Sequence, residues 1–226
     1  MDQIQIGTES FATNPEHRCL YVLVLDTSAS MAGEPITQLN SGLVALKDEL
    51  MADALAQKRV ELSIVTFGPV NELQSCVTAE NFVPPALIAG ADTPMGAALV
   101  KAVEIVEARK QAYKSNGVKY YRPWIMLITD GAPTDKNQAP WIDAVAKIRE
   151  GQEKKALAFF PIGVEGADME TLASISPSAT PIKLKGVRFR DLFKWLSSSL
   201  KSVSQSRPGE EVKLENPATP TGWGTV

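Results

Sequence analysis

Three segments of the chain are apolar without interruption: Cys19–Leu25 (CLYVLVL), Trp124–Thr129 (WIMLIT) and Leu157–Val164 (LAFFPIGV). A strand with one face in water alternates apolar and polar residues. A continuous apolar run therefore predicts a strand covered on both faces, as in a parallel sheet sandwiched between helices. Val60–Gly68 (VELSIVTFG) alternates more and is rich in β-branched residues, which places it nearer the sheet edge. GPVNELQSCV follows at once, and the Gly68-Pro69 turn makes the two an antiparallel hairpin. Thr180–Leu184 (TPIKL) predicts a short last strand.

Helical patterns lie between these strands. Ile36, Leu39, Leu43, Leu46, Leu50 and Leu55 form one apolar stripe, and Pro35 suits a first helical turn, where a missing N–H costs nothing. Further helices are predicted over Pro94–Tyr113, Pro140–Glu153, Met169–Ile175 and Phe189–Val203. The order β-α-β-β-α-β-α-β-α-β-α predicts an α/β, Rossmann-like doubly wound fold. Its six-stranded sheet is mostly parallel, with one antiparallel edge strand and helices on both faces. One domain is expected over residues 1–206, with 1–17 as an N-terminal arm. From Arg207 the chain holds three Pro and three Gly with little periodicity, so 207–226 reads as a tail. Trp223 stands out there, because a solvated tail gains nothing from an indole; docking on the domain or on a partner would explain it.

Bulk properties exclude several classes. The net charge of −3 argues against general nucleic-acid binding, which needs an excess of Lys and Arg. Cys19 and Cys76 form neither a metal-ligand pair nor a disulfide framework and read as small apolar side chains. No apolar run approaches the ~20 residues that span a bilayer. The opening residues lack the basic-then-apolar pattern of a signal peptide, so a cytoplasmic protein of bacterial type is expected. His17, the single histidine, precedes the first strand, at the opposite end from Asp26; a Ser-His-Asp hydrolase would need it beside the serine. Neither GxxxxGK[ST] nor GxGxxG is present to cradle phosphates. Lys183, Lys185, Arg188 and Arg190 read as a solvated rim.

In an open parallel sheet, functional side chains gather beyond the carboxyl ends of the strands, where helices pass to opposite faces. Asp26 ends the first strand, and Asp130 ends a strand expected beside it. Side chains two apart in extended chain point the same way, so Asp26, Ser28 and Ser30 converge. Thr93, in the loop before the second long helix, adds another hydroxyl near the same rim. Two carboxylates, three hydroxyls and no soft ligand suit Mg²⁺, Mn²⁺ or Ca²⁺ and make a poor home for zinc. Ser28 or Ser30 as an N-cap explains one hydroxyl but not the set. Thr93 can cap the helix it precedes and still reach an ion. Asp135 in GAPTD reads as a helix cap or as a support behind the ligands.

The set Asp26-x-Ser28-x-Ser30, Thr93 and Asp130 resembles the metal-ion-dependent adhesion site of von Willebrand factor A domains. NPEHRC, GEPI, LITDGAPTD and SRPGEEVKLENPATPTGWG extend the resemblance to bacterial proteins of the tellurium-resistance TerY type. The resemblance implies a non-enzymatic interaction module in which the five residues hold the ion and a partner's carboxylate completes its shell. It also implies chemical-stress resistance and the company of a protein kinase and a PP2C-type phosphatase. Gly131 and Trp223 are further candidates for supporting or contacting roles. Asp92 departs from the family, where a small residue usually precedes the site threonine. Its carboxylate could tighten cation binding, repel an acidic partner, or bond its own backbone. Two other readings stay open: a phosphoester hydrolase with Asp26 as nucleophile, and a scaffold whose ion is only structural. The hydrolase reading lacks a second Asp at position 28 and an obvious lysine near the crevice.

Overall fold

A computed structural model describes residues 9–210, 212, 214, 216–217 and 222–225. The remainder of the expected N-terminal arm (1–17) and C-terminal tail (207–226) lies outside the described residues. The strands are β1 (Cys19–Asp26), β2 (Val60–Phe67), β3 (Asn71–Thr78), β4 (Trp124–Thr129), β5 (Ala158–Gly163), β6 (Ile182–Leu184) and β7 (Gly224–Thr225). They form one sheet in the order β3-β2-β1-β4-β5-β6-β7. The inner pairs are parallel, and antiparallel β3 and β7 close the two edges. The expected fold class stands, with seven strands in place of six; the seventh comes from the segment read as a tail.

Helices cover both faces: α1 (Glu9–Thr13), α2 (Glu34–Met51), α3 (Ala54–Arg59), α4 (Met95–Ser115), α5 (Ala139–Glu153), α6 (Met169–Ile175) and α7 (Phe189–Gln205). Alternation along β1 divides the core. Tyr21, Leu23 and Leu25 face α2 and α7, whereas Leu20, Val22 and Val24 face α4 and α5. The α2 stripe ends earlier than its periodicity predicts. Asp53 accepts from the N–H groups of Leu55 and Ala56 (3.0 and 2.8 Å) and starts α3, which carries Leu55 out to solvent.

β2 corrects the meaning of its alternation. It is second from the edge, yet every residue is buried, because its polar side chains find partners inside the protein. Ser63 Oγ donates to the Gln74 carbonyl at 2.8 Å. Glu61 is fully buried and accepts from Arg18 Nε (2.9 Å), Arg109 Nε (2.7 Å), Arg109 Nη2 (2.8 Å) and the Tyr113 hydroxyl (2.6 Å). Phe11 of α1 covers this cluster, with the Arg109 guanidinium 4.6 Å from its ring centre. The described part of the N-terminal arm is thereby fixed at the end of the sheet away from Asp26. His17 lies at that end too, 6.3 Å from the Tyr121 ring.

Described residues of the C-terminal segment pack into the core on the α7 side of the sheet. Val212 and Leu214 pack on the core, and the Trp223 ring, 4% exposed, sits 5.5 Å from that of Trp195. Lys185, expected as solvated rim, donates from its backbone N–H to the Trp223 carbonyl (2.9 Å) and from Nζ to the Gly222 carbonyl (2.9 Å); Arg188 adds a bond to the same Gly222 carbonyl (3.1 Å). Trp223 thus docks on its own sheet. Among the described residues no helix is long and apolar enough to cross a membrane.

Two outcomes follow from this packing. Trp223→Ala removes a buried indole and should lower unfolding free energy by about 3 kcal/mol in urea titration. Cys19 and Cys76 are free and buried, and burial pushes both thiols up to about 12. Neither should react with a disulfide reagent at pH 8 in the native protein, and both should react in denaturant.

Candidate metal centre

The parallel pairing of β1 with β4 builds the site. Leu25 lies opposite Ile128, so Asp26 and Thr129 end neighbouring strands side by side. The Thr129 hydroxyl donates to Asp26 Oδ2 at 2.5 Å, and the Ser28 N–H donates to Asp26 Oδ1 at 2.8 Å. Asp26 is completely buried. Burial pushes its carboxyl above the ordinary carboxylate range; the bonds from Ser28 and Thr129 oppose this, and the charge of Asp130 adds to it. From Asp26 the oxygens continue outward. Ser28 Oγ and Ser30 Oγ are 3.1 Å apart, and Ser30 Oγ donates to Asp130 Oδ1 at 2.8 Å. One hundred residues of chain separate that last pair, so the predicted convergence is real.

Thr93 reaches the same rim. A Cβ built on Gly131 would lie 3.9 Å from Thr93 Oγ1, which sets the hydroxyl next to the residue following Asp130. The Thr93 carbonyl accepts from Thr134 N (2.9 Å), tying its loop to the β4–α5 loop. Asp135 joins the same loops, because its carboxylate accepts from Gly96 N (3.0 Å) and Ala97 N (2.9 Å). It is a helix cap, as its place before a helix predicts, but of α4 and not of α5, which it precedes. Close approach permits this: a Cβ on Gly96 would meet the Trp141 backbone at 2.6 Å. With α4 capped from outside, Thr93 makes no cap bond, and Ser28 makes none to the short 3-10 turn Ala29–Met31. Capping therefore accounts for none of the three hydroxyls.

Two residues of the site escaped the sequence reading. In sequence Thr129 is the last residue of an apolar strand, yet its hydroxyl accepts from Gly131 N (3.2 Å) and holds Asp26. In sequence Gly68 is a turn residue, yet a Cβ there would come within 2.8 Å of the Thr27 and Ser28 backbone. Its φ of 115° also favours glycine. Asp92 is exposed beside Thr93, and among the described residues its carboxylate accepts no hydrogen bond, so the self-bonded turn is not formed. Trp223 belongs to the β6 edge and not to this rim.

Among the described residues no three His, Cys, Asp or Glu side chains cluster to hold a metal ion. This site instead joins two carboxylates to hydroxyls, a donor set that fits a hard divalent cation. No Lys, Arg or His among the described residues forms an ion pair with Asp26 or Asp130. Asp135→Ala should cost about 2 kcal/mol of stability through the two lost cap bonds, measurable by thermal unfolding.

The fold has wide company. The chain resembles PTMP1 of the mussel byssus in the form with a zinc-occupied MIDAS motif (17% identity, TM-score 0.54). The match covers 82% of this chain and 48% of that one, so this chain spans about half the length of PTMP1. The vWF domain of the type V pili tip protein Mfa5 from Porphyromonas gingivalis matches at 12% identity and TM-score 0.62, over 88% of this chain and 99% of that one. Manganese-loaded Plasmodium vivax TRAP matches at 16% identity and TM-score 0.50, over 79% and 74%. No curated protein sequence matches significantly. The model of the von Willebrand factor type A domain matches residues 22–191, three quarters of the chain and all five candidate ligands. The chain belongs to the von Willebrand factor type A domain family.

Proposed function

We propose that this chain is a non-enzymatic, metal-dependent protein-interaction module. Asp26, Ser28, Ser30, Thr93 and Asp130 would hold a divalent cation, Mg²⁺ or equally Mn²⁺ or Ca²⁺, on a rim open to a partner. One observation carries the reading. A fully buried carboxylate and a second one are linked through Ser28 and Ser30, and no cationic side chain among the described residues balances them. Buried charge of one sign is costly unless paired or used to coordinate a metal. A cation bound there would supply an electrophilic position for a partner's carboxylate.

The protein's own residues divide the remaining work. Thr129 and the Ser28 N–H orient Asp26, Gly131 N orients Thr129, and Asp135 locks the Thr93 loop against the β4–α5 loop. These bonds also weigh against Asp26 as a nucleophile. Both of its oxygens already accept hydrogen bonds, and no solvent reaches it. The motifs shared with TerY-type proteins support a role in bacterial tellurium or chemical-stress resistance, in the cytoplasm, with a protein kinase and a PP2C-type phosphatase as candidate partners.

Calorimetric titration with Mn²⁺ or Mg²⁺ tests the metal. The Ser28→Ala/Ser30→Ala variant should stay folded and bind the ion more than about tenfold more weakly. Affinity capture from the host with and without EDTA tests the interaction. Loss of the captured partner with EDTA and with the double variant is expected; capture that survives both would refute the reading.

A further inference from the structure

Three of the segments that frame the site carry an exposed carboxylate, and the fourth, the β4–α5 loop, carries Asp130 itself. Glu34 opens α2, four residues beyond Ser30; Asp92 directly precedes Thr93. Glu165 precedes Gly166, where a Cβ would lie 3.3 Å from the Asp130 carbonyl oxygen. The neighbouring cations are engaged elsewhere. Lys136 donates to Thr171 Oγ1 at 2.6 Å and lies 4.0 Å from Asp168; Lys101 pairs with Glu72 at 3.0 Å. Lys185 and Arg188 hold Gly222 at the end of β6, three strands from β1, and Arg190 follows on α7. Acidic side chains therefore flank, on three sides, a site whose expected ligand is itself a carboxylate.

The same rim presents an apolar side chain. Ile88 is 84% exposed, more than any other large hydrophobic described. Its backbone is held on both sides: Asn40 bonds both polar backbone groups of Leu87 (2.9 and 2.8 Å), and Gly90 N donates to the Thr27 carbonyl at 2.8 Å. Ala29 N donates to the Ala91 carbonyl at 3.1 Å, joining this loop to the Ser28–Ser30 turn. An isoleucine held in solvent on a fixed backbone beside the site offers contact area that costs little ordering on binding.

We propose that the partner is a protein segment whose metal-directed carboxylate is flanked by lysine or arginine, with an aliphatic residue that packs on Ile88. This rests on the metal-centre reading above. Glu34, Asp92 and Glu165 repel a carboxylate set among other acids and attract one set among cations. The rim thus selects among acidic partners by rejecting the wrong ones. The charges are exposed, so the selection weakens with salt.

The test uses the full chain with saturating Mn²⁺ and fluorescent synthetic peptides that carry one central Asp followed by Leu, flanked by Lys, by Ala or by Glu. By polarisation at low salt the Lys-flanked peptide should bind about tenfold more tightly than the Glu-flanked one. The ratio should fall toward one in high salt and in the Glu34→Gln/Asp92→Asn/Glu165→Gln variant. Ile88→Ser should weaken the Leu peptide and leave its Gly counterpart unchanged. Equal affinity for all flanks, a preference for Glu, or no binding of any peptide overturns the inference. Peptide binding that resists EDTA refutes the metal reading itself, whereas EDTA-sensitive binding without charge preference refutes only the partner chemistry.

Discussion

The side-by-side ending of β1 and β4 is the constraint on which the site depends. Their register puts the Thr129 hydroxyl within 2.5 Å of Asp26 and carries Asp130 to the next step outward. The fold reaches this register because the chain crosses from one side of β1 to the other. It leaves through α2 to β2 and β3, then returns through α4 to β4. Helices therefore depart to opposite faces between β1 and β4, which opens the crevice there. A slip of one residue would turn Thr129 and Asp26 to opposite faces and dissolve the relay.

The two ends of the sheet treat buried carboxylates in opposite ways. At the far end Glu61 accepts from two arginines and a tyrosine, and Phe11 seals the group. Every lone pair and the charge itself are answered, as a structural buried ion requires. At the near end Asp26 receives only neutral donors, and the charge that bears on it is that of another carboxylate, Asp130. The same sheet thus holds one acid fully neutralised and one left in deficit. This contrast argues for function at the near end more strongly than any motif, because an uncompensated buried charge persists only where something else supplies the opposite sign.

What the sequence discloses follows the range of the interactions involved. Asp26 and Asp130 are legible because each ends a continuous apolar run, and the strand ends of an α/β sheet are where sites form. Thr129 is not legible, since its role exists only through the register with β1. Asp135 shows its capping nature but not which helix it caps, because α4 and α5 meet through the close approach at Gly96. Alternation in β2 suggests a solvent face, yet Glu61 and Ser63 point to internal partners. Composition failed most clearly at the C-terminus. Pro and Gly mark a chain that forms no helix, but they carry no information about Trp223 finding Trp195 or about β7 pairing with β6.

The candidate ligands also differ in how firmly they are held, and this bears on how the site would respond to a partner. Asp26 belongs to an inner strand, and the Ser28–Ser30 turn is bonded to Ala91 and packed over Gly68. Thr93 is tied to Thr134, and its helix start is locked by Asp135. Asp130, by contrast, is half-buried on a loop beside Glu165 and Gly166, and its one side-chain bond among the described residues is to an exposed serine. Positions fixed by packing and by a second layer of hydrogen bonds do not adjust cheaply, so adaptation to a ligand falls on the least constrained member. Movement on partner binding would then start at Asp130 and the β5–α6 loop, while Asp26 serves as the fixed reference of the site.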